Sequence, residues 1–290
     1  MKLFNYSLLH KPTTLADANY YLLTEGDFPS VDLSHVLTLY NNQYREVQIK
    51  SDKPFDNIVK NQYFSFDVKD VVSFLFKIGT NSIIIKRRKK ASDLLVEYWL
   101  YHTFLPILLT FENKYYFLHA GAVEIENKSV LFIADSFGGK STLTDFFIKK
   151  GHTMISDDKV ATFEKEEKIY AVPSYPYHRP YRKMEDLGIF VENFAKEIKP
   201  IHCIFNLIKS DENSDINIEK ISGIDKFKAL RYATDIDLPV HKQSRFKSLA
   251  NIANKVDIYN ISIPWDLDRL EEVYDKICIF IKKEANEFKH

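Results

Sequence analysis

The residues best suited to chemistry lie in one stretch, ADSFGGKST, at positions 134–142. The common phosphate-binding loop follows the pattern G-x-x-x-x-G-K-[ST], in which backbone N–H groups surround phosphate oxygens at the start of a helix. Gly139, Lys140 and Ser141 match this pattern, and Ala134 stands where the first glycine belongs. The stretch therefore predicts a nucleotide site, provided that the extra methyl group of Ala134 is accommodated at a negative φ.

Each residue of the loop has an expected role. We expect Lys140 to contact the β- and γ-phosphates of ATP, and the Ser141 hydroxyl to coordinate Mg²⁺. The flanks agree, because the apolar strand SVLFI precedes the loop and the helix TLTDFFIKK follows it. The alternative is a glycine-rich turn that binds no nucleotide. The residues expected to bind the nucleotide are Ser136, Phe137, Gly138, Gly139, Lys140, Ser141 and Thr142.

A second segment, MISDD, is an apolar strand that ends in two carboxylates, Asp157 and Asp158. One helix after a phosphate-binding loop, such an aspartate is typical of a residue that binds Mg²⁺ directly or through water. Phosphoryl transfer also needs a base that orients the acceptor hydroxyl and takes its proton, and a neighbouring aspartate is suited to this. The alternative is that SDD only ends a strand and caps a turn.

The segment SYPYHRPYRK, at positions 174–183, is aromatic and basic. Arg179 or Arg182 could neutralise the charge of a transition state, because the guanidinium group matches phosphate geometry. Arg179 is the preferred candidate. The alternative is a rigid proline–tyrosine surface loop with incidental charge.

The segment HAGAVEIENKSVLFIADSFGGKSTLTDFFIKKGHTMISDDKV resembles the core of the HPr kinase/phosphorylase family and its small stand-alone relatives, such as lasso-peptide serine kinases. The resemblance implies an α/β fold with a P-loop core of the HPr kinase/phosphoenolpyruvate carboxykinase type and a mixed sheet. It implies that Asp157 is the base and that Asp158 binds the metal. It also implies that His119 orients an acidic group or a phosphate, although a structural role for this histidine is an equal alternative.

The sequence departs from the family pattern at two positions of the loop. Ala134 and Phe137 both stand where the family has glycine. The downstream segment that bifunctional members use for phosphorolysis has no clear copy. These departures argue against the bifunctional regulatory enzyme itself and favour its smaller relatives.

These residues predict an ATP-dependent kinase that transfers the γ-phosphate to a serine-type hydroxyl of a peptide, a protein or a small molecule. The alternative is a nucleotide-binding regulatory protein or pseudokinase without phosphotransfer, in which Ala134 and Phe137 mark lost catalysis. Retention of both Asp157 and Asp158 beside Lys140 favours the kinase, because a site that only binds nucleotide does not need the second aspartate.

Composition argues against several other classes. Lys+Arg and Asp+Glu number 40 each, so the net charge is zero and no basic field is present to bind nucleic acid. The apolar stretch at 105–111 is too short to cross a membrane, and the N-terminus lacks the pattern of a signal peptide. We therefore expect a cytoplasmic protein without a nucleic-acid or membrane partner. Cys203 and Cys278 are expected to be buried and reduced, and the resemblance implies a homo-oligomer.

The chain is divided by pattern into a β-rich N-terminal module with a linking helix, residues 1–112, and a P-loop kinase-like domain, residues 113–290. In the module, strands are predicted for LFNYSLLH, REVQIKS, YFSFDV and SIIIKRR, and turns are predicted for NNQ and GTN. The pattern fits either a strand or a short helix for DVVSFLFKI. Residues 91–112 predict a helix that Pro106 kinks or divides. In the domain, strands at 117–125 and 129–133 form a hairpin that leads into the loop, and the C-terminal part alternates strand and helix.

Overall fold

A computed structural model describes residues 2–11, 19–41, 45–181 and 183–287. It divides the chain into two compact units. The first contains Met1–Lys114, Lys183–Leu187 and Asp237–Ser244, and the second contains Tyr115–Arg182, Gly188–Ile236 and Arg245–His290. The two short segments of the first unit lie inside the region that the sequence pattern places in the second domain. Glu185 illustrates their role, because its carboxylate accepts hydrogen bonds from the side chains of Arg45 and Trp99.

The first unit is built on a single eight-stranded sheet. Its strands are β1 (Lys2–Leu3), β2 (Tyr6–Leu9), β3 (Tyr20–Glu25), β4 (His35–Asn41), β5 (Glu46–Ser51), β6 (Tyr63–Val68), β7 (Val72–Lys77) and β8 (Ser82–Arg87). Their order is β1-β2-β3-β8-β7-β6-β5-β4. The segment DVVSFLFKI forms β7, a strand, because its side chains are buried in the middle of the sheet. Gly79 supplies the predicted GTN turn at a φ of +80°, whereas the predicted NNQ turn lies largely outside the described residues.

One long helical segment follows β8. It consists of α1 (Asp93–Trp99), a π-helical turn (Leu100–Phe104) and α2 (Leu105–Phe111), and Ser92 caps its start. The irregular turn ends at Phe104, two residues before Pro106, which lacks a backbone N–H, so the helix is interrupted near the residue where the sequence predicts it. The segment Asp93–Phe111 has the length and mean hydropathy of a membrane span, but 72% of it is buried, as in the core helix of a globular domain.

The second unit is built on a mixed nine-stranded sheet, together with a two-stranded ribbon formed by β15 and β16. The strands are β9 (Tyr116–Leu118), β10 (Gly121–Ile125), β11 (Lys128–Ala134), β12 (Thr153–Ser156), β13 (Val160–Lys165), β14 (Lys168–Val172), β15 (Tyr177–His178), β16 (Ile189–Phe190), β17 (Lys199–Ser210), β18 (Ile218–Ile221) and β19 (Asp257–Pro264). The antiparallel hairpin β10–β11 leads into the loop, as predicted. Strands β11, β17 and β19 run parallel to one another, so their carboxyl ends lie at one edge of the sheet.

Apolar side chains on both faces of this sheet are buried. The remaining helices are α3 (Lys140–Lys149), α4 (Gly223–Tyr232), α5 (Lys242–Lys255) and α6 (Leu270–Glu287). Val130 and Phe132 of β11 belong to a cluster with residues of α3 and α6, whereas Leu131 and Ile133 belong to a cluster with residues of α4 and α5. This alternation is what a strand covered on both faces requires. Both cysteines are free thiols, Cys203 buried and Cys278 half-buried.

The sequence predicts one strand over residues 117–125, and this prediction is wrong in one respect. The chain leaves β9 after Leu118 and enters β10 at Gly121, because β9 pairs with β13 while β10 pairs with β11 and β12. A strand that changes partners must break between them. His119 lies in this break, and its backbone N–H donates to the carbonyl oxygen of Ala233 at 2.7 Å.

Candidate functional site

The loop at residues 135–139 connects strand β11 to helix α3, the order of elements that the sequence predicts. Gly139 is the N-cap residue of α3 and adopts a φ of +85°, which glycine tolerates and other residues rarely do. Ala134 ends β11 and is not among the residues with positive φ, so the condition for its methyl group is met. Phe137 has a φ of +63° and a largely exposed side chain. A phenylalanine therefore carries a left-handed conformation that glycine would adopt with less strain.

The glycine missing at position 134 is compensated within the loop. The backbone N–H of Gly138 donates to the carbonyl oxygen of Asp135 at 2.9 Å, which closes a tight turn. A Cβ atom on Gly138 would lie 2.8 Å from Cβ of Ala134 and 3.0 Å from the carbonyl oxygen of Asp135. The methyl group of Ala134 is thus accommodated because position 138 has no side chain.

Lys140, His119 and Asp158 form one hydrogen-bonded chain. The Lys140 side chain is buried, at 5% exposure, and its Nζ lies 2.9 Å from Nε2 of His119. An ammonium group only donates, so His119 accepts at Nε2 and has its proton on Nδ1. Nδ1 faces Asp158, 3.0 Å from carboxylate Oδ1 and 3.1 Å from the backbone carbonyl oxygen. One imidazole ring therefore connects the loop lysine to the second carboxylate of the MISDD segment.

A further carboxylate, Asp235, lies beside this chain. Its Oδ1 is 3.9 Å from Nδ1 of His119, and its Oδ2 pairs with Nζ of Lys159 at 2.7 Å. Both members of the Lys159–Asp235 pair are largely buried. The backbone N–H of Asp235 donates to the carbonyl oxygen of Phe117, two residues before His119. This hydrogen bond keeps Asp235 beside His119.

Asp157 belongs to a second, more deeply buried group. Its side chain is almost fully buried, and its Oδ2 accepts hydrogen bonds from Nδ1 of His178 at 2.9 Å and from the backbone N–H of Arg179 at 2.8 Å. Among the described residues, Oδ1 of Asp157 has no hydrogen-bond partner. A buried carboxylate oxygen without a partner is costly, so its retention points to a role in binding or catalysis.

His178 lies between two carboxylates. Its Nε2 is 3.4 Å from Oδ1 of Asp145 on α3. The two atoms are close enough for an ion pair but do not form a hydrogen bond. The other oxygen of Asp145 bonds to Nζ of Lys149 at 2.6 Å, and this hydrogen bond raises the pKa of Lys149 above its ordinary value. Through His178, α3 is therefore connected to the first carboxylate of the MISDD segment.

The predicted site residues are distributed as follows. His119, Lys140 and Asp158 contact one another, and Asp157 contacts the backbone of Arg179 in the second group. Ser136 and Thr142 are exposed on the loop and on the first turn of α3, and Ser141 is partly buried beside Lys140. Arg182 lies outside the described residues. Sequence reasoning missed His178, Asp145 and Asp235; His178 stands in the segment SYPYHRPYRK and Asp145 in the helix TLTDFFIKK, whereas Asp235 stands in neither.

The oxygen ligands of this site fit a magnesium ion that is bound together with phosphate. Mg²⁺ commonly uses one or two carboxylates plus phosphate oxygens and waters. Within the described ranges there is no cluster of three or more His, Cys, Asp or Glu side chains arranged for a metal. The carboxylate of Asp158, the hydroxyl of Ser141 and the unpartnered Oδ1 of Asp157 supply oxygens of the required kind.

Comparisons with known proteins give similarities to solved structures but none to a protein-family model or a curated protein. No protein-family model matches the chain, and a search of the curated proteins finds no match. The solved structure of the HPr(Ser) kinase/phosphatase from Coxiella burnetii is similar to 60% of this chain and to 99% of its own chain, at 13% sequence identity and a TM-score of 0.38.

Proposed function

We propose that this chain is an ATP-dependent kinase that transfers the γ-phosphate to a serine-type hydroxyl of a peptide, a protein or a small molecule. One observation carries the proposal: the ring of His119 bonds to Lys140 of the loop on one side and to Asp158 on the other. A lysine for phosphate and a carboxylate for metal or proton are therefore preorganised around one group.

The loop and α3 would bind the triphosphate. Backbone N–H groups of residues 136–142 and the positive end of the α3 dipole favour negative charge there. Lys140 would exchange its hydrogen bond with His119 for one with a phosphate oxygen. His119 would keep Asp158 in position through the exchange, because its Nδ1 contact with Asp158 does not depend on the lysine.

The two aspartates would divide the remaining work. Ser141 and Asp158 would bind Mg²⁺, which neutralises phosphate charge when bound. Asp157 would orient the acceptor hydroxyl and take its proton, and its Oδ1 is the oxygen left for that task, since Oδ2 already accepts two hydrogen bonds. Arg179, whose backbone N–H is one of these donors, would place its guanidinium near the transferred phosphate.

The alternative of a nucleotide-binding regulator has one observation in its favour. Asp157 is 2% exposed, whereas the Asp158 side chain is 26% exposed. A base that meets an acceptor from solvent must be reachable, so the burial of Asp157 suits a structural carboxylate. A third arrangement, with Asp158 as the base and Asp157 near the metal, is consistent with the same exposures.

Calorimetry with Mg-ATP tests the binding step. We expect saturable binding by the wild type and a large loss of affinity in Lys140→Ala, because this buried ammonium is the cation assigned to the β- and γ-phosphates. Lys150→Ala is the matched control, since this lysine directly follows the same helix, is exposed and pairs with Glu271. The absence of binding by the wild type to both Mg-ATP and Mg-GTP would refute the proposal.

Hydrolysis of labelled ATP, with water in place of the hydroxyl, tests the chemical step. In a kinase, Asp157→Asn abolishes turnover and retains ATP affinity, whereas Asp158→Asn weakens the dependence on Mg²⁺. The reverse pattern exchanges the two roles. Unchanged turnover in both variants, at intact ATP binding, would favour the regulator.

A further inference from the structure

A pocket of about 210 Å³ lies against the proposed phosphate-binding loop. Gly139 and Thr142, from the loop and the first turn of α3, line one side of it. Trp265 and Leu267, which follow β19, line another side, and Ile263 and Leu207 complete the apolar wall from the ends of β19 and β17. The pocket therefore shares two residues with the loop and lies wholly within the second unit.

The lining of the pocket suits a flat aromatic group. Pockets that enclose drug-sized ligands measure roughly 300–1,000 Å³, so this smaller one fits a single ring system. Trp265 is 42% exposed, although tryptophan contributes most when it is buried or covered by a ligand. Nζ of Lys209 lies 4.0 Å from its ring centroid, a cation–π contact that fixes the orientation of the indole.

The indole is also close to the loop backbone. A Cβ atom added to Gly139 would lie 3.7 Å from Cζ3 of Trp265, so the ring and the loop glycine are in contact distance of each other. A ligand whose phosphates bind at the start of α3 would therefore have Trp265 beside its next group. Thr142 lies between the two, exposed in the first turn of α3 and lining the pocket.

The strand order also indicates a ligand at this edge of the sheet. Strands β11, β17 and β19 are parallel neighbours, with Ala134 opposite Leu207 and Ser210 opposite Pro264. Ligands of parallel sheets bind beyond the carboxyl ends of the strands. With strands spaced about 4.8 Å apart, β19 lies about 10 Å from β11 across the sheet, and it continues to Pro264, past Ile261, which is level with Ala134.

We propose that this pocket binds the purine base of the nucleotide, with Trp265 as the stacking residue. The inference rests on the proposed function, because it requires phosphate at the loop. Trp265 would stack on the base, Leu267 and Ile263 would cover its edge, and Thr142 would contact the sugar–phosphate side. The site thereby distinguishes a nucleoside triphosphate from inorganic polyphosphate.

The test compares Mg-ATP with Mg-tripolyphosphate, which has the phosphates and lacks the base. Stacking of a base on an aromatic side chain is strong enough that Trp265→Ala should weaken ATP binding about 5- to 100-fold. Tripolyphosphate binding should stay close to that of the wild type, and Trp265→Phe should keep most of the ATP affinity. Tyr232→Ala, which removes another exposed aromatic ring away from the pocket, is the matched control.

Tryptophan fluorescence gives an independent readout, because the chain has two tryptophans. ATP should change the emission of the wild type, tripolyphosphate should change it much less, and the ATP signal should be lost in Trp265→Phe. Equal weakening of ATP and tripolyphosphate by Trp265→Ala, or no weakening of either, would overturn the inference while the loop still binds phosphate. Wild-type protein that binds neither ligand would refute the proposed function and, with it, this inference.

Discussion

Substitution of Gly138 tests how the loop accommodates Ala134. Gly138 is not among the glycines with positive φ, so alanine is conformationally allowed there and only space opposes it. The new Cβ would lie 2.8 Å from Cβ of Ala134, closer than real Cβ contacts come, so the loop has to shift. Overpacking by a methyl group costs about 1–3 kcal/mol. If this cost falls on the binding conformation, the Kd for Mg-ATP rises about 5- to 150-fold in Gly138→Ala.

The double variant Ala134→Gly/Gly138→Ala removes the nearer obstacle and leaves the Asp135 carbonyl oxygen at 3.0 Å. We expect it to recover most of the lost binding free energy, while Ala134→Gly alone stays close to wild type. Calorimetry measures the four Kd values, and urea unfolding of each variant separates loop effects from loss of the fold. A double variant that binds no better than Gly138→Ala would show that the two methyl groups do not compete for space.

Two further predictions concern stability. His178→Phe removes the N–H donor from the buried carboxylate of Asp157, so the free energy of unfolding should fall by about 1–3 kcal/mol. His178→Asn keeps an N–H donor, so its free energy of unfolding should fall less. Equal losses for the two variants in urea unfolding would contradict this. Burial raises the pKa of Tyr274 to about 12 and also raises the pKa of the Cys278 thiol. Both groups ionise earlier in the unfolded chain, near their ordinary pKa values of about 10 and about 8.5. Their contribution to the free energy of unfolding is therefore fully present below the unfolded-state pKa values, and it is lost as the pH rises through the folded-state pKa values. Urea unfolding should show a decline above about pH 9 that is shallower in Tyr274→Phe; an unchanged slope would contradict the assignment.

The fold was predictable where local signals are strong. The hairpin β10–β11, the loop, α3 and β12 follow one another with clear apolar periods and with glycines in the loop and after α3, and they lie where the sequence places them except that β10 begins at Gly121. Helix α5 was missed because KQSRFKSLANIANK is mostly polar and buries only Leu249 and Ile252. Its conformation depends on packing against the sheet, which local pattern does not encode. The break at His119 was missed because an apolar run carries no sign of a change in strand partner.

The site was predictable to the extent that its residues belong to one continuous motif. Lys140 follows one strand of the sheet, and Asp157 and Asp158 follow the strand after the next helix. Their spacing in the sequence therefore predicts that they lie near one another. Asp235 reaches the site through tertiary contacts, and an aspartate with no motif around it is too common in a chain to be noticed. Asp145 lies in the helix after the loop, but its role depends on the contact with His178, which sequence spacing does not reveal. His178 was missed because the guanidinium of the neighbouring Arg179 is the stronger sequence signal for phosphate, although the ring of His178 lies 2.9 Å from Oδ2 of Asp157.

The first unit is assembled from separate parts of the chain, and this limits how it can be obtained alone. A cut after Lys114 would leave Arg45 and Trp99 without the carboxylate of Glu185, and would leave the carbonyl oxygen of Phe111 without the ring of His241, which binds it at 2.8 Å. A single truncation or a single recombination event therefore cannot transfer this module intact to another protein. Its inheritance is tied to that of the second unit, and limited proteolysis at Lys114 should yield a fragment less stable than the same residues in the uncut chain.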